Sequence, residues 1–124
     1  MSMLGLRTTI YLVPDLEAAK NWYSQAFGTE PYFDEPFYTG FSIGGYELGL
    51  LPDPGSTDKK VPTVLSYWGV EDIQKSYEAL LSKGARTHQE PTNVGGPIVV
   101  ASVFDPWDNI IGIIYNPVFE ITEE

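Results

Sequence analysis

Cysteine is absent from this 124-residue chain, and histidine occurs once, as His88. The first absence removes disulfides, thiolate nucleophiles and cysteine-ligated zinc or iron-sulfur centres together. The second removes any site that needs two or three imidazoles from one chain, which covers the familiar zinc hydrolase arrangements. Positive charge is also scarce: 7 basic side chains stand against 17 acidic ones, a formal charge of -10. Such a surface repels phosphate backbones and anionic lipid headgroups, so neither nucleic acid nor membrane is an expected partner. The acids form no long block and are read as a solvated surface, with a cation-attracting cleft as the alternative. No apolar run approaches the ~18 residues of a spanning helix. Residues 1–7 lack the basic start and apolar stretch of a secretory signal. The expected location is therefore the cytoplasm. Phosphate-cradling loops are missing as well, since Gly44-Gly45 and Gly95-Gly96 are turn signals with no helix after them. Ser66 and Ser102 sit in strand patterns without a nucleophile elbow, and a single histidine could activate either, so serine catalysis is not expected.

What the chain does have is 43% hydrophobic and 14% aromatic residues. That is enough for a core, in a length typical of one domain. Residues 6–13 are rich in β-branched side chains and predict a strand that stops at Pro14-Asp15. Asp15 can cap a helix whose Leu16, Ala19, Trp22, Tyr23, Ala26 and Phe27 recur at helical spacing, with Gly28 closing it. Extended segments are predicted at 32–34, 37–43 and 46–51, the last two joined by a Gly44-Gly45 hairpin. After a polar linker the order repeats: a strand at 64–70, a helix over 72–83 closed by Gly84, a weak strand at 86–89, then strong strands at 98–104 and 110–115. Asp105 to Asn109 forms the turn between the last two.

The repeat extends to residues. Val13-Pro14-Asp15-Leu16 aligns with Val70-Glu71-Asp72-Ile73 at an offset of 57, and Gly49-Leu50-Leu51-Pro52-Asp53-Pro54 aligns with Gly112-Ile113-Ile114-Tyr115-Asn116-Pro117 at 63. Six extra residues thus fall inside the second half, and residues 91–97, with Gly95-Gly96-Pro97, are the expected mobile loop. Module one is placed at 5–54, a linker at 55–61, module two at 62–117 and a tail at 118–124, all within a single domain.

Several stretches carry a resemblance in their order and spacing. They are Ile10 to Leu16 leading into the helix with Trp22-Tyr23, Gly44 to Leu50, Gly69 to Ile73, and Val103 to Ile111. Together they resemble the vicinal oxygen chelate superfamily, which contains glyoxalase I, extradiol dioxygenases and bleomycin-resistance proteins. The resemblance implies an α+β fold in which two βαβββ modules form a cupped, mixed, mostly antiparallel sheet with helices on the outer face. It also implies a ligand cavity and, often, a homodimer. Metal-dependent members place one ligand on the first and one on the last strand of each module. Those positions correspond here to Thr8, Leu65, Gly49 and Gly112. Leucine and glycine offer no donor and threonine only a weak neutral one, so no metal and no other cofactor is predicted.

In that register Thr8, Ile10, Leu12, Glu47, Leu51, Leu65, Tyr67 and Ile114 point into the cup, while Val13, Leu48, Leu50, Trp68, Ile111 and Ile113 lie beneath the helices. Glu47 shares a strand face with Gly49, where it is either a solvated edge carboxylate or a group that reaches a metal or a cationic ligand group. His88 is read as a surface histidine, with a proton-shuttling role left only if it faces the cavity. Phe33, Phe37, Tyr38, Phe41 and Trp107 either pack or line a site for a planar ligand. The candidate ligand-binding residues are Thr8, Phe41, Glu47, Tyr67 and Trp107. The expected function is metal-independent binding of an aromatic or cationic small molecule, as in the bleomycin-resistance branch. A metal-dependent lyase, isomerase or dioxygenase with an atypical site is the alternative, and a module whose cavity is filled by its own side chains is the third.

Overall fold

The structure is a computed structural model that describes residues 6–53 and 65–118. The chain divides into two compact units, Met1–Val61 and Pro62–Glu124. The first contains β1 (Thr8–Val13), α1 (Leu16–Phe27), β2 (Phe33–Glu35), β3 (Tyr38–Ile43) and β4 (Tyr46–Pro52). The second contains β5 (Tyr67–Gly69), α2 (Ile73–Ser82), β6 (Arg86–Gly95), β7 (Ile98–Phe104) and β8 (Ile110–Tyr115). Each unit is a βαβββ module with one mixed four-stranded sheet, ordered β1-β4-β3-β2 and β5-β8-β7-β6. In both, the first and last strands pair in parallel and the remaining neighbours are antiparallel.

The two ladders repeat the same register. Ile10 pairs with Gly49 in the first unit, and their aligned counterparts Tyr67 and Gly112 pair in the second. The helices start alike too. Asp15 and Asp72 adopt extended backbone and accept from the amides of Ala18 at 3.2 Å and Lys75 at 3.0 Å. Each cap thereby satisfies a donor that the first helical turn leaves free. Gly28 ends α1 in the left-handed region at φ 64°. A side chain there would cost free energy.

Strand alternation then decides what is buried. Val13, Leu48 and Leu50 of the first sheet are fully buried together with Ala19 and Tyr23 of α1, and the Tyr23 ring stacks on Tyr11 at 5.6 Å. In the second unit Val103, Ile111 and Ile113 are buried with Tyr77 and Leu80 of α2. The opposite face of each sheet keeps apolar residues exposed, among them Ile10, Leu12 and Leu51 in the first unit and Tyr67 in the second.

Three expectations are corrected. β6 runs through residue 95, so most of the expected loop at 91–97 is strand, and the register shifts along the β6–β7 hairpin absorb three of the six extra residues. Pro91 is tolerated because β6 is an edge strand, where a missing amide hydrogen breaks no interior ladder. β5 is short, three residues from Tyr67, and Val64, the expected start of that strand, lies outside the described residues. β2 begins at Phe33, leaving Tyr32 before it. The expected linker at 55–61 and the tail beyond Val118 also lie outside the described residues. Among the described residues no helix is long and apolar enough to cross a membrane.

Candidate functional site

Two glycines face each other across β3 and β4, Gly40 opposite Gly49, and they leave a bare patch on the face of the first sheet turned away from α1. Two phenols fill it. A side chain on Gly49 would meet the Tyr38 ring, with Cζ 2.6 Å and Cε1 2.9 Å from the added carbon. One on Gly40 would meet Glu47 Oε2 at 2.8 Å and the Tyr32 ring at 3.2 Å. The glycines are thus a floor on which two tyrosines and one glutamate converge.

Glu47 is the centre of this group. Its register partner on β1 is Thr8, whose hydroxyl donates to Glu47 Oε1 at 2.9 Å. The Tyr32 hydroxyl donates to Oε2, and Tyr38 donates to the same carboxylate. Tyr32 is set there by its backbone amide, which donates to the Gly40 carbonyl at 3.0 Å and extends the ladder by one residue.

Three hydroxyls therefore solvate one carboxylate. The Tyr32 hydrogen bond, with those of Thr8 and Tyr38, holds the Glu47 carboxyl below its ordinary range against the opposing effect of burial. The phenols move the other way: Tyr32 is raised chiefly by its bond to Glu47, and Tyr38 is pushed up to about 12 by burial and by the carboxylate. At neutral pH the group is one anion and two neutral phenols. Among the described residues no lysine, arginine or histidine pairs with Glu47; Lys20 pairs with Glu17 and Asp34, and Arg86 with Asp108. An ionised carboxylate bonded by two phenol hydroxyls, with no counter-ion among the described residues, can hold a cationic group by charge. With its pKa lowered, the same carboxylate is a poor proton acceptor at neutral pH.

The divalent metal of the resembling superfamily does not fit these residues. Thr8 already donates its hydroxyl, the space beside Gly49 holds Tyr38, and a side chain on Gly112 would meet the Ser66 carbonyl at 2.5 Å and Tyr67 at 2.8 Å. Leu65 brings no donor atom. Among the described residues no three histidine, cysteine, aspartate or glutamate side chains come together as a metal-holding group.

Of the candidate binding residues, the structure brings Thr8 and Glu47 together. Phe41 is placed elsewhere: it is 1% exposed and opposite Leu48, so it packs in the core beneath α1 and not on the face with Glu47. Tyr67 lies on the open face of the second unit, opposite Gly112. Trp107 sits in the turn after β7, its amide donating at 2.8 Å to Asp105, whose buried carboxylate also accepts from the Asn109 amide at 2.8 Å and side chain at 3.0 Å. Sequence reading missed Tyr32, and it left Tyr38 among the aromatics that either pack or line a site. The available signal was the pair of glycines at cross-strand positions, since an aromatic commonly covers such a pair. A separate open groove of about 420 Å³ runs between α1 and β2, lined by Leu16, Glu17, Lys20, Asp34, Glu35 and Pro36. Its one cation is already bonded to Glu17 and Asp34, and it shares no residue with the Glu47 group.

A family model described as the glyoxalase/bleomycin resistance protein/dioxygenase superfamily matches residues 5–113. No curated protein matches the chain. Among solved structures, a glyoxalase-related enzyme from Fulvimarina pelagi superposes with a TM-score of 0.74 at 20% identity, over 97% of this chain and 94% of that one. A lactoylglutathione lyase from Agrobacterium tumefaciens gives 0.72 at 16% identity, covering 96% and 100%. A glyoxalase/bleomycin resistance protein from Catenulispora acidiphila gives 0.66 at 19%, covering 91% and 100%. At these identities the likeness is one of fold.

Proposed function

The chain belongs to the glyoxalase/bleomycin resistance protein/dioxygenase superfamily, and from that premise we propose that it is a metal-independent binding protein for an aromatic or cationic small molecule. The observation that carries this reading is the Glu47 carboxylate, bonded by Thr8, Tyr32 and Tyr38 and paired with no cation among the described residues. A metal-dependent lyase, isomerase or dioxygenase would need charged or imidazole donors that Thr8, Leu65, Gly49 and Gly112 do not supply. Homodimeric assembly, with the ligand taken up in the cytoplasm, completes the proposal.

The test is a melting-temperature screen against aromatic ammonium compounds and their neutral isosteres, with chelator present throughout. A ligand that binds the folded state alone stabilises it by about 2.7 kcal/mol at roughly one hundred times its dissociation constant. The expected result is a shift for the cations, small or absent for the isosteres and lost in Glu47→Gln. Stoichiometric iron, manganese, nickel or zinc in purified protein, lost in Glu47→Ala, would overturn the reading, as would shifts indifferent to charge.

A further inference from the structure

The open face of the second unit carries two hydrogen-bonding groups that the Glu47 reading leaves unused, His88 and Tyr67. Tyr67 pairs with Gly112, Gly112 with Ser102, and Ser102 with Gln89, so Ser102 shares the face of Tyr67, while its neighbours Ala101 and Val103 are buried on the side of α2. The β6–β7 register shifts between Thr87 and Gln89, which makes His88 the bulged residue. A bulge turns a strand side chain out of the ordinary alternation. The His88 ring is aimed onto the Ser102 face, with Nδ1 2.7 Å from Ser102 Oγ. Phe104 meets that ring edge-on at 5.1 Å and 85°, and the Arg86 guanidinium lies over Phe104 at 5.2 Å.

Ser102 decides where the imidazole proton sits. The residue is 1% exposed, and its hydroxyl has no hydrogen bond besides the one to His88. A buried hydroxyl hydrogen without an acceptor is costly, and the acceptor on offer is Nδ1, so the neutral ring carries its own hydrogen on Nε2. His88 is exposed, and its Nε2–H is bonded to nothing among the described residues. Tyr67 is 40% exposed, and its hydroxyl likewise has no hydrogen-bond partner there. Two strand spacings separate Tyr67 from Ser102, about 10 Å between backbones, a span that one small planar molecule can cover.

We propose that His88 and Tyr67 form a second binding site, one that takes a small planar organic acid with its carboxylate on His88 Nε2–H and a second polar group on the Tyr67 hydroxyl. In a chain of charge -10 such a site relies on placed hydrogen-bond donors, since the nearby Arg86 is already paired with Asp108. Ser102 is a positioning residue that sets the tautomer. The site uses residues of the second unit alone and stands or falls separately from Glu47.

Because the chain has one histidine, nitrogen-15 NMR of histidine-labelled protein reads this site directly. Without ligand, the spectrum is expected to show the Nε2–H tautomer predominating, and Ser102→Ala is expected to mix the two. Titration with 4-hydroxybenzoate should shift the His88 signals saturably at concentrations up to ~10 mM, in the wild type and in Glu47→Gln alike. Tyr67→Phe, checked for folding by circular dichroism, should weaken 4-hydroxybenzoate about three- to tenfold, the worth of one hydrogen bond, and leave benzoate unchanged. A spectrum with Nδ1–H predominating, no saturable shift with either acid, or a 4-hydroxybenzoate affinity indifferent to Tyr67→Phe would overturn the proposal.

Discussion

The phenol ring of Tyr38 occupies the space that a side chain on Gly49 would need, with Cζ 2.6 Å from the position of the missing carbon. Glycine at 49 is thus what allows the ring to lie along β4 and reach Glu47. Gly49→Ala is expected to push Tyr38 off the carboxylate and to cost ~1–3 kcal/mol of stability, the usual penalty for overpacking. In Tyr38→Ala the space is vacated, so the same Gly49→Ala change should then cost much less. Urea unfolding of the four proteins in a double-mutant cycle measures the coupling, expected to exceed ~1 kcal/mol. Additive costs would mean that the two residues do not compete for the space.

Proton linkage gives Glu47 a definite pH window. Its carboxyl is held below the ordinary 4.5, first by the Tyr32 hydroxyl. An acid lowered on folding stabilises the folded state above its unfolded pKa and loses that contribution as pH falls through the folded value. The stability difference between wild type and Glu47→Gln should therefore be constant from about pH 7 to about 5 and shrink as pH falls through and below 4.5. Tyr32→Phe should raise the folded value toward the ordinary 4.5, so that the loss keeps its onset, ends at a higher pH and is smaller. Chemical denaturation at a series of pH values reads both.

Tyr38 titrates with the opposite sign. Burial, and then the Glu47 carboxylate, raise its phenol from the ordinary 10 to about 12. The folded state favours the protonated phenol, so this contribution is intact below pH 10 and is lost as pH rises toward 12. The stability of wild type relative to Tyr38→Phe should fall across that interval. In an ultraviolet tyrosinate titration, Tyr38→Phe should remove a late step and leave the early ones.

The legibility of the chain followed the range of the interactions. Both helices were readable because their signals are local: Asp15 and Asp72 lie one residue before the helices they cap, and Gly28 and Gly84 follow their ends. The faces of β1 and β4 followed from alternation in the register that the resemblance implied, and so did the positions of Thr8 and Glu47. Tyr32 was not, because its contact with Glu47 depends on β2 pairing Phe33 with Gly40, a register that no local pattern states. Phe41 was misplaced for a related reason: composition marks an aromatic, and only its pairing with Leu48 puts it on the buried face. In β6, Pro91 and Gly95 are strong turn signals, and the edge position that neutralises them is a property of the sheet, not of the segment.

Asp105 holds the β7–β8 turn by three accepted hydrogen bonds while fully buried. The turn includes Asp108 at φ 67°. That is a left-handed position, uncommon for non-glycine residues, which aspartate adopts more readily than most. Asp105→Ala would leave the Trp107 and Asn109 amides without their acceptor and is expected to cost about 3 kcal/mol or more. Asp105→Asn keeps one acceptor oxygen and should cost less. Thermal unfolding ranks the two; equal losses would show that the charge, and not the acceptor geometry, is what the turn requires.

Thr39 offers the converse case. It is fully buried beneath α1, opposite Leu50, and its hydroxyl has no hydrogen-bond partner among the described residues. A buried hydroxyl that loses water and gains nothing is a standing cost of about 1–3 kcal/mol. Valine has nearly the same shape, keeps the β-branch that suits a strand and has no polar group to desolvate. Thr39→Val is therefore expected to raise stability by about 1 kcal/mol, seen as a higher urea midpoint with the slope unchanged. Thr39→Ser keeps the unsatisfied oxygen and removes a methyl group, so it should move the midpoint down. If Thr39→Val lowered the midpoint instead, the hydroxyl would be engaged in the folded protein in solution.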